Sequence, residues 1–158
     1  MLGWLESSQF SAWIRNDLWG WPFALTLHAF GTALVIGFIL IIGLRLLGLF
    51  AMIPFTLLNR LFPFVWGALV LQFVSGFVLW MAKPTQYVVD VAFVLKFVLV
   101  IAGIVLTLYL YRTIKKEAAS RDAKGAVSSR AVTLGTAALL VWCVVLVASR
   151  LTAHLGAI

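Results

Sequence analysis

Two imidazoles and two cations stand out in a chain otherwise poor in reactive groups: His28, Lys96, Arg150 and His154. Neutral imidazoles can ligate haem iron axially, and cationic side chains can neutralise its propionates. The same histidines, with Met81 as a soft donor, could instead hold copper. Arg150 and His154 are four residues apart and so share one helix face. Asp90 and Lys96 are six apart, awkward for a direct pair, so Lys96 needs an acceptor from another helix or from a ligand. Each residue also has a plainer reading. His28 can hydrogen-bond a neighbouring helix, His154 can sit solvated at a helix C-terminus, and Arg150 can snorkel to the interface. The single cysteine, Cys143, lies in an apolar run and reads as a small hydrophobe.

The elements that position these residues must lie in lipid. Of 158 residues, 64% are hydrophobic and 11% charged. Soluble domains run at about 45–50% apolar and about 25% charged. A water-soluble globule and a disordered chain are both excluded. Apolar segments at about 22–44, 63–81, 88–111 and 131–154 are each long enough to cross about 30 Å of hydrocarbon. Short connections favour antiparallel neighbours. The expected fold is all-α: one integral membrane up-down four-helix bundle spanning residues 1–158. A short amphipathic interfacial helix should precede it, since Leu2, Leu5, Phe10, Trp13, Ile14 and Leu18 recur at roughly helical spacing. Residues 1–20 carry Glu6, Arg15 and Asp17 and do not read as a signal peptide.

The chain holds 12 Lys+Arg against 5 Asp+Glu, a net charge of +7. Most of that charge sits in the polar loop Arg112–Arg130, so topology explains it and no nucleic-acid partner is expected. Arg45, Arg60, Arg112, Lys115, Lys116, Arg121, Lys124 and Arg130 fall on one side; Arg15, Lys83 and Arg150 fall on the other. The loop is therefore expected in the cytoplasm of a bacterium, with both termini periplasmic. His28, six residues past Pro22, then lies about 9 Å below the outer surface, and Lys96, Arg150 and His154 share that end of the bundle.

The stretch Leu27-His28-Ala29-Phe30-Gly31, with Gly37 and then Leu44-Arg45-Leu46-Leu47-Gly48, resembles a bacterial family of small four-span inner-membrane proteins of unknown function. Trp4, Trp21, Pro22, the pair Leu95-Lys96 and Arg150 extend the likeness over essentially the whole chain. Two positions depart from it: Gly43 stands where relatives carry an acidic residue, and His154 where they tend to carry an aromatic one. A looser similarity reaches the copper-resistance membrane domains and cytochrome b561-like proteins. The resemblance implies fold and membrane location, with redox or copper association as an extension.

The leading expectation is a membrane b-type haem or redox-associated subunit, with a ligand pocket on the periplasmic side. His28 would be an axial ligand and His154 the second, while Lys96 and Arg150 meet propionates or another anion. Gly31 and Gly37 would let a flat macrocycle approach the first span. The alternatives are a non-catalytic membrane anchor that binds partners in a larger complex, and copper handling by His28 and His154. Small residues such as Gly67, Ser75, Gly76 and Gly103 would allow close helix packing within or between chains. Expected partners are membrane lipid, a membrane or periplasmic redox protein, and further copies or subunits. A self-contained enzyme is disfavoured, because the chain lacks a nucleophile elbow, a His-Glu-x-x-His pattern and a phosphate-cradling glycine loop.

Overall fold

A computed structural model describes residues 2–50, 52–120 and 127–155, with side chains for all of these except 2, 89, 120 and 151–155. Seven helices follow one another: α1 (Leu2–Glu6), α2 (Gln9–Asn16), α3 (Gly20–Leu46), α4 (Phe55–Ala82), α5 (Pro84–Val89), α6 (Val91–Ser120) and α7 (Ser129–Leu155). Helices α3, α4, α6 and α7 are long and apolar enough to span a membrane. They form the four-helix bundle that the apolar runs predict. Around the bundle the order is α3, α4, α6, α7, with α7 returning against α3; α3 and α6 lie diagonally. The first and last spans are neighbours, as expected.

Several boundaries differ from the sequence reading. Pro63 does not begin the second span but sits inside α4, on its exposed side. Membrane helices tolerate such a proline because surrounding groups re-satisfy the freed carbonyl. The third long helix runs on to Ser120, so half of the expected polar loop is helical. Its core-facing stripe continues there through Leu110 and Ile114, both fully buried, while Lys115 lies over the Tyr111 ring. The interfacial helix is two short helices, α1 and α2, and residues 84–89 form a further short helix instead of a turn.

The Leu-Arg-Leu-Leu-Gly stretch ends α3. Gly48, at φ 92°, takes the left-handed conformation. Its N–H donates to the Arg45 carbonyl, and the Leu49 N–H donates to the Leu44 carbonyl. This is the Schellman arrangement, which only a residue tolerant of positive φ permits cheaply. Arg45 then secures the following turn, donating from Nε to the Ile53 carbonyl at 2.6 Å and lying over the Phe55 ring.

The core is unevenly distributed. On the side of the α6–α7 loop, large side chains fill the interior: Val35, Ile39, Ile42, Leu46, Leu58, Phe62, Leu110, Ile114 and Trp142. On the side of the N-terminal helices, the described buried span residues are mostly small: Gly20, Ala24, Gly31, Ser75 and Ala82, with Val145 the larger exception. Residues 91–102 of α6 bury none of their described side chains fully. Among the described residues, the bundle buries larger side chains at its loop side than at its terminal side.

Helix α2 packs on the terminal-side ends of α3 and α4, and α1 on α4 and α5. Ser11, fully buried, donates its hydroxyl toward the Met81 carbonyl at 2.6 Å and the Leu5 carbonyl at 2.9 Å. Arg15 donates to the Ala82 carbonyl at 2.5 Å and to the Glu6 carbonyl at 2.7 Å. A cation on the last carbonyls of α4 also complements the negative end of that helix. Thr85 completes the contact through the Glu6 carboxylate.

Candidate functional site

His28 lies on the core-facing stripe of α3, seven residues before the buried Val35. It faces α4, where Gln72 and Ser75 stand one helical turn apart. Nδ1 of His28 lies 3.1 Å from Ser75 Oγ, and Nε2 lies 3.0 Å from Gln72 Nε2. Ser75 in turn donates to the Leu71 carbonyl at 2.7 Å. One assignment pairs both ring nitrogens and the Ser75 hydroxyl, and leaves the buried Gln72 Oε1 without a hydrogen-bond partner among the described residues. The imidazole is neutral, Nδ1–H donates to Ser75, and Nε2 accepts from the Gln72 amide. Small residues make room for this contact. A Cβ on Gly76 would stand 3.0 Å from His28 Cε1. One on Gly31 would stand 2.8 Å from Gln72 Oε1 and 3.2 Å from the Gln72 backbone nitrogen.

Both ring nitrogens of His28 are thus engaged inside a helix–helix contact, and axial ligation would require the ring to leave Gln72. The space beside Gly31, expected to admit a flat macrocycle, is occupied by the Gln72 side chain, while Gly37 has nothing near it. The side chain of His154 lies outside the described residues. Among the described residues no group of three or more His, Cys, Asp or Glu is arranged to hold a metal ion.

Lys96 sits seven residues before the buried Gly103 on α6, and the stripe runs on through Thr107, Leu110 and Ile114. It is half-buried and makes no hydrogen bond or ion pair with any described residue. Asp90 does not serve it: Asp90 Oδ1 accepts from the Ala92 N–H at 2.9 Å and caps α6. Arg150 is exposed at the terminal-side end of α7, with no hydrogen bond or ion pair to a described residue. Outside the spans, burial and the adjacent Asp90 carboxylate raise the Tyr87 phenol above its ordinary pKa and keep it neutral.

Of the four expected site residues, His28 and Lys96 both lie in the terminal-side half of the bundle, on diagonal helices, and Arg150 stands at that side on the bundle surface. Gln72 and Ser75 are the partners that sequence reasoning missed. Their signal was present: two polar residues three apart in an otherwise apolar span define one face. The Trp142 indole donates to Thr107 at 3.1 Å across α6 and α7, and this second polar contact lies at mid-span against Gly103. Compared with known protein families, curated proteins and solved structures, the chain matches none.

Proposed function

We propose that this protein is a non-catalytic membrane subunit that receives an acidic group of a partner at Lys96. The supporting observation is Lys96 itself, a half-buried cation on the inward stripe of a membrane helix with no anion among the described residues. A lysine costs about 2.5–3.5 kcal/mol at mid-membrane and less toward the surface, where Lys96 stands five residues into α6; such residues face a partner, a polar interior or water. Helix α6, which carries it, is the least buried of the four spans. The basic-residue count supports a bacterial inner-membrane location, with that side periplasmic.

The experiment is purification in mild detergent of the wild type, Lys96→Met and Lys96→Arg, with co-purifying subunits and acidic ligands quantified by mass spectrometry. The wild type and Lys96→Arg retain the same acidic partner at stoichiometric levels, and Lys96→Met loses it. Equal retention by all three overturns the reading.

A second reading, a b-type haem subunit, draws on the common placement of His28 and Lys96. The described residues fit haem only if His28 gives up its contact with Gln72. A visible spectrum decides it: a Soret band abolished in His28→Ala would displace the first reading. Copper would be detected by metal analysis of the same samples.

A further inference from the structure

We infer that the anion received at Lys96 is the phosphate of an acidic phospholipid, one of whose chains enters between α4 and α6 from the leaflet on the terminal side. Such a lipid is the partner in the reading of Lys96 above, on which this inference rests. The facing sides of the two helices meet at the loop side, where the rings of Phe62 and Trp66 pack on Tyr111 with centroids 4.9 and 6.2 Å away. Three turns further along α4 the same side carries Phe73 and Phe77, each eleven residues beyond one of those rings. Yet Phe73 is 69% exposed and Phe77 50%. On α6, four turns before Tyr111, Phe97 is 54% exposed. Rings held against a neighbouring helix would be covered, so α4 and α6 part toward the terminal side. The connection between them supplies the reason. In place of a tight turn, the six-residue helix α5 joins their ends, and its Tyr87 ring packs 5.1 Å from Phe93 at the start of α6.

Charge and depth decide what enters. Lys96 directly precedes Phe97 and stands on the inward stripe of α6, at the back of the opening, with no anion among the described residues. Sixteen residues, about 24 Å of helix rise, separate it from the exposed Arg112. With Arg112 at one boundary of a hydrocarbon layer about 30 Å thick, Lys96 lies about 6 Å inside the other. Side chains on a helix lean toward its N-terminus, and α6 begins on the terminal side, so the ammonium extends toward the level of the lipid phosphates. A transmembrane helix of a partner runs the full span and could enter only by separating Phe62 and Trp66 from Tyr111. A lipid chain ends near mid-membrane, as the opening does. An acidic lipid also offers its phosphate without a cation of its own, whereas a zwitterionic headgroup carries one that competes with Lys96.

The test is photo-cross-linking in phosphatidylcholine vesicles with two probes, phosphatidylglycerol and phosphatidylcholine, each carrying a diazirine midway along one acyl chain. Adducts are mapped by peptide mass spectrometry in the wild type, Lys96→Met, Lys96→Arg and Lys83→Gln, the last removing an exposed cation at the same end of the bundle. In the wild type, phosphatidylglycerol adducts should concentrate on residues 73–80 and 93–101, at least fivefold above those of the phosphatidylcholine probe. Lys96→Met should abolish that preference, while Lys96→Arg and Lys83→Gln keep it. Equal labelling by the two probes in the wild type overturns the inference without reference to any variant. So does a preference that survives in Lys96→Met, or adducts spread evenly over the exposed faces of α4 and α6. A protein or soluble acid that co-purifies through Lys96, with no phosphatidylglycerol preference, refutes the lipid and leaves Lys96 an anion receiver. No anion of any kind lost in Lys96→Met refutes both.

Discussion

The contact between His28 and Gln72 can be measured directly, and its size separates a structural histidine from a ligand. Replacing His28 with Ala removes two interhelical hydrogen bonds, at 3.0 and 3.1 Å, and empties the space against Gly76. Interhelical hydrogen bonds in membranes average about 0.6 kcal/mol and reach about 1.7. The lost side-chain volume adds a packing term, since truncating a large buried side chain costs about 2–5 kcal/mol and His28 is only partly buried. His28→Ala should therefore destabilise the bundle by about 2–4 kcal/mol. The sharper quantity is the coupling. Gln72→Met removes the amide at similar volume, so the cycle His28→Ala, Gln72→Met and the double variant should return an interaction energy of about 0.5–1.7 kcal/mol.

The assay is reversible unfolding in mixed micelles by denaturing-detergent titration, read by circular dichroism. A coupling indistinguishable from zero would mean that His28 and Gln72 do not meet in the folded protein. Retention of stability in His28→Ala, accompanied by loss of a bound chromophore, would refute the reasoning more completely. It would show that the imidazole serves a ligand and not the helix pair.

Three further outcomes follow from the same geometry. Gly31→Ala brings a methyl against the backbone of Gln72 and should cost about 1–3 kcal/mol, whereas Gly37→Ala meets nothing and should be neutral or slightly stabilising in the same unfolding assay. Gly135→Ala meets the Leu46 Cδ1 at 2.6 Å, the far end of a flexible side chain, so it should cost less than Gly31→Ala, about 1 kcal/mol. Arg15→Ala removes the donors to Ala82 and Glu6; hydrogen exchange should accelerate across residues 3–16 while protection of the core half of α4 stays unchanged.

The spans were legible in the sequence because lipid imposes a simple condition, a long run of apolar residues with satisfied backbone, and α3, α4, α6 and α7 each meet it. Their ends were less legible. Proline usually marks a helix start, yet Pro63 lies nine residues into α4, after Pro54 has already supplied that start. The inward stripes were also present as spacing: 28, 35 and 42 on α3, and 96, 103 and 110 on α6. What spacing cannot supply is the register between two helices. His28 was recognisable as an unusual residue, but Gln72 and Ser75 become its partners only when α3 and α4 slide to one particular depth. Gly31 and Gly76 select that depth, because each is the position where a larger side chain would collide. The N-terminal helices show the same limit. Their amphipathic pattern suggested a helix resting on the membrane, and the capping role of Arg15 depends on a carbonyl 67 residues away.

The uneven core gives these contacts a common meaning. In lipid there is little hydrophobic drive between helices, so association rests on close packing and on polar contacts. The loop-side half has the packing, through Phe62, Ile39, Leu110 and Trp142. The terminal-side half has few large buried side chains, and it is there that hydrogen bonds to His28, Ser11 and Arg15 hold the helix ends. Large side chains hold the loop-side half together, and polar contacts hold the described part of the terminal-side half. A protein whose task were only to fill a membrane would gain stability from replacing Lys96 with an apolar residue. Retaining a half-buried cation in the terminal-side half carries a standing energetic cost, and an anion arriving at that surface is what would offset it.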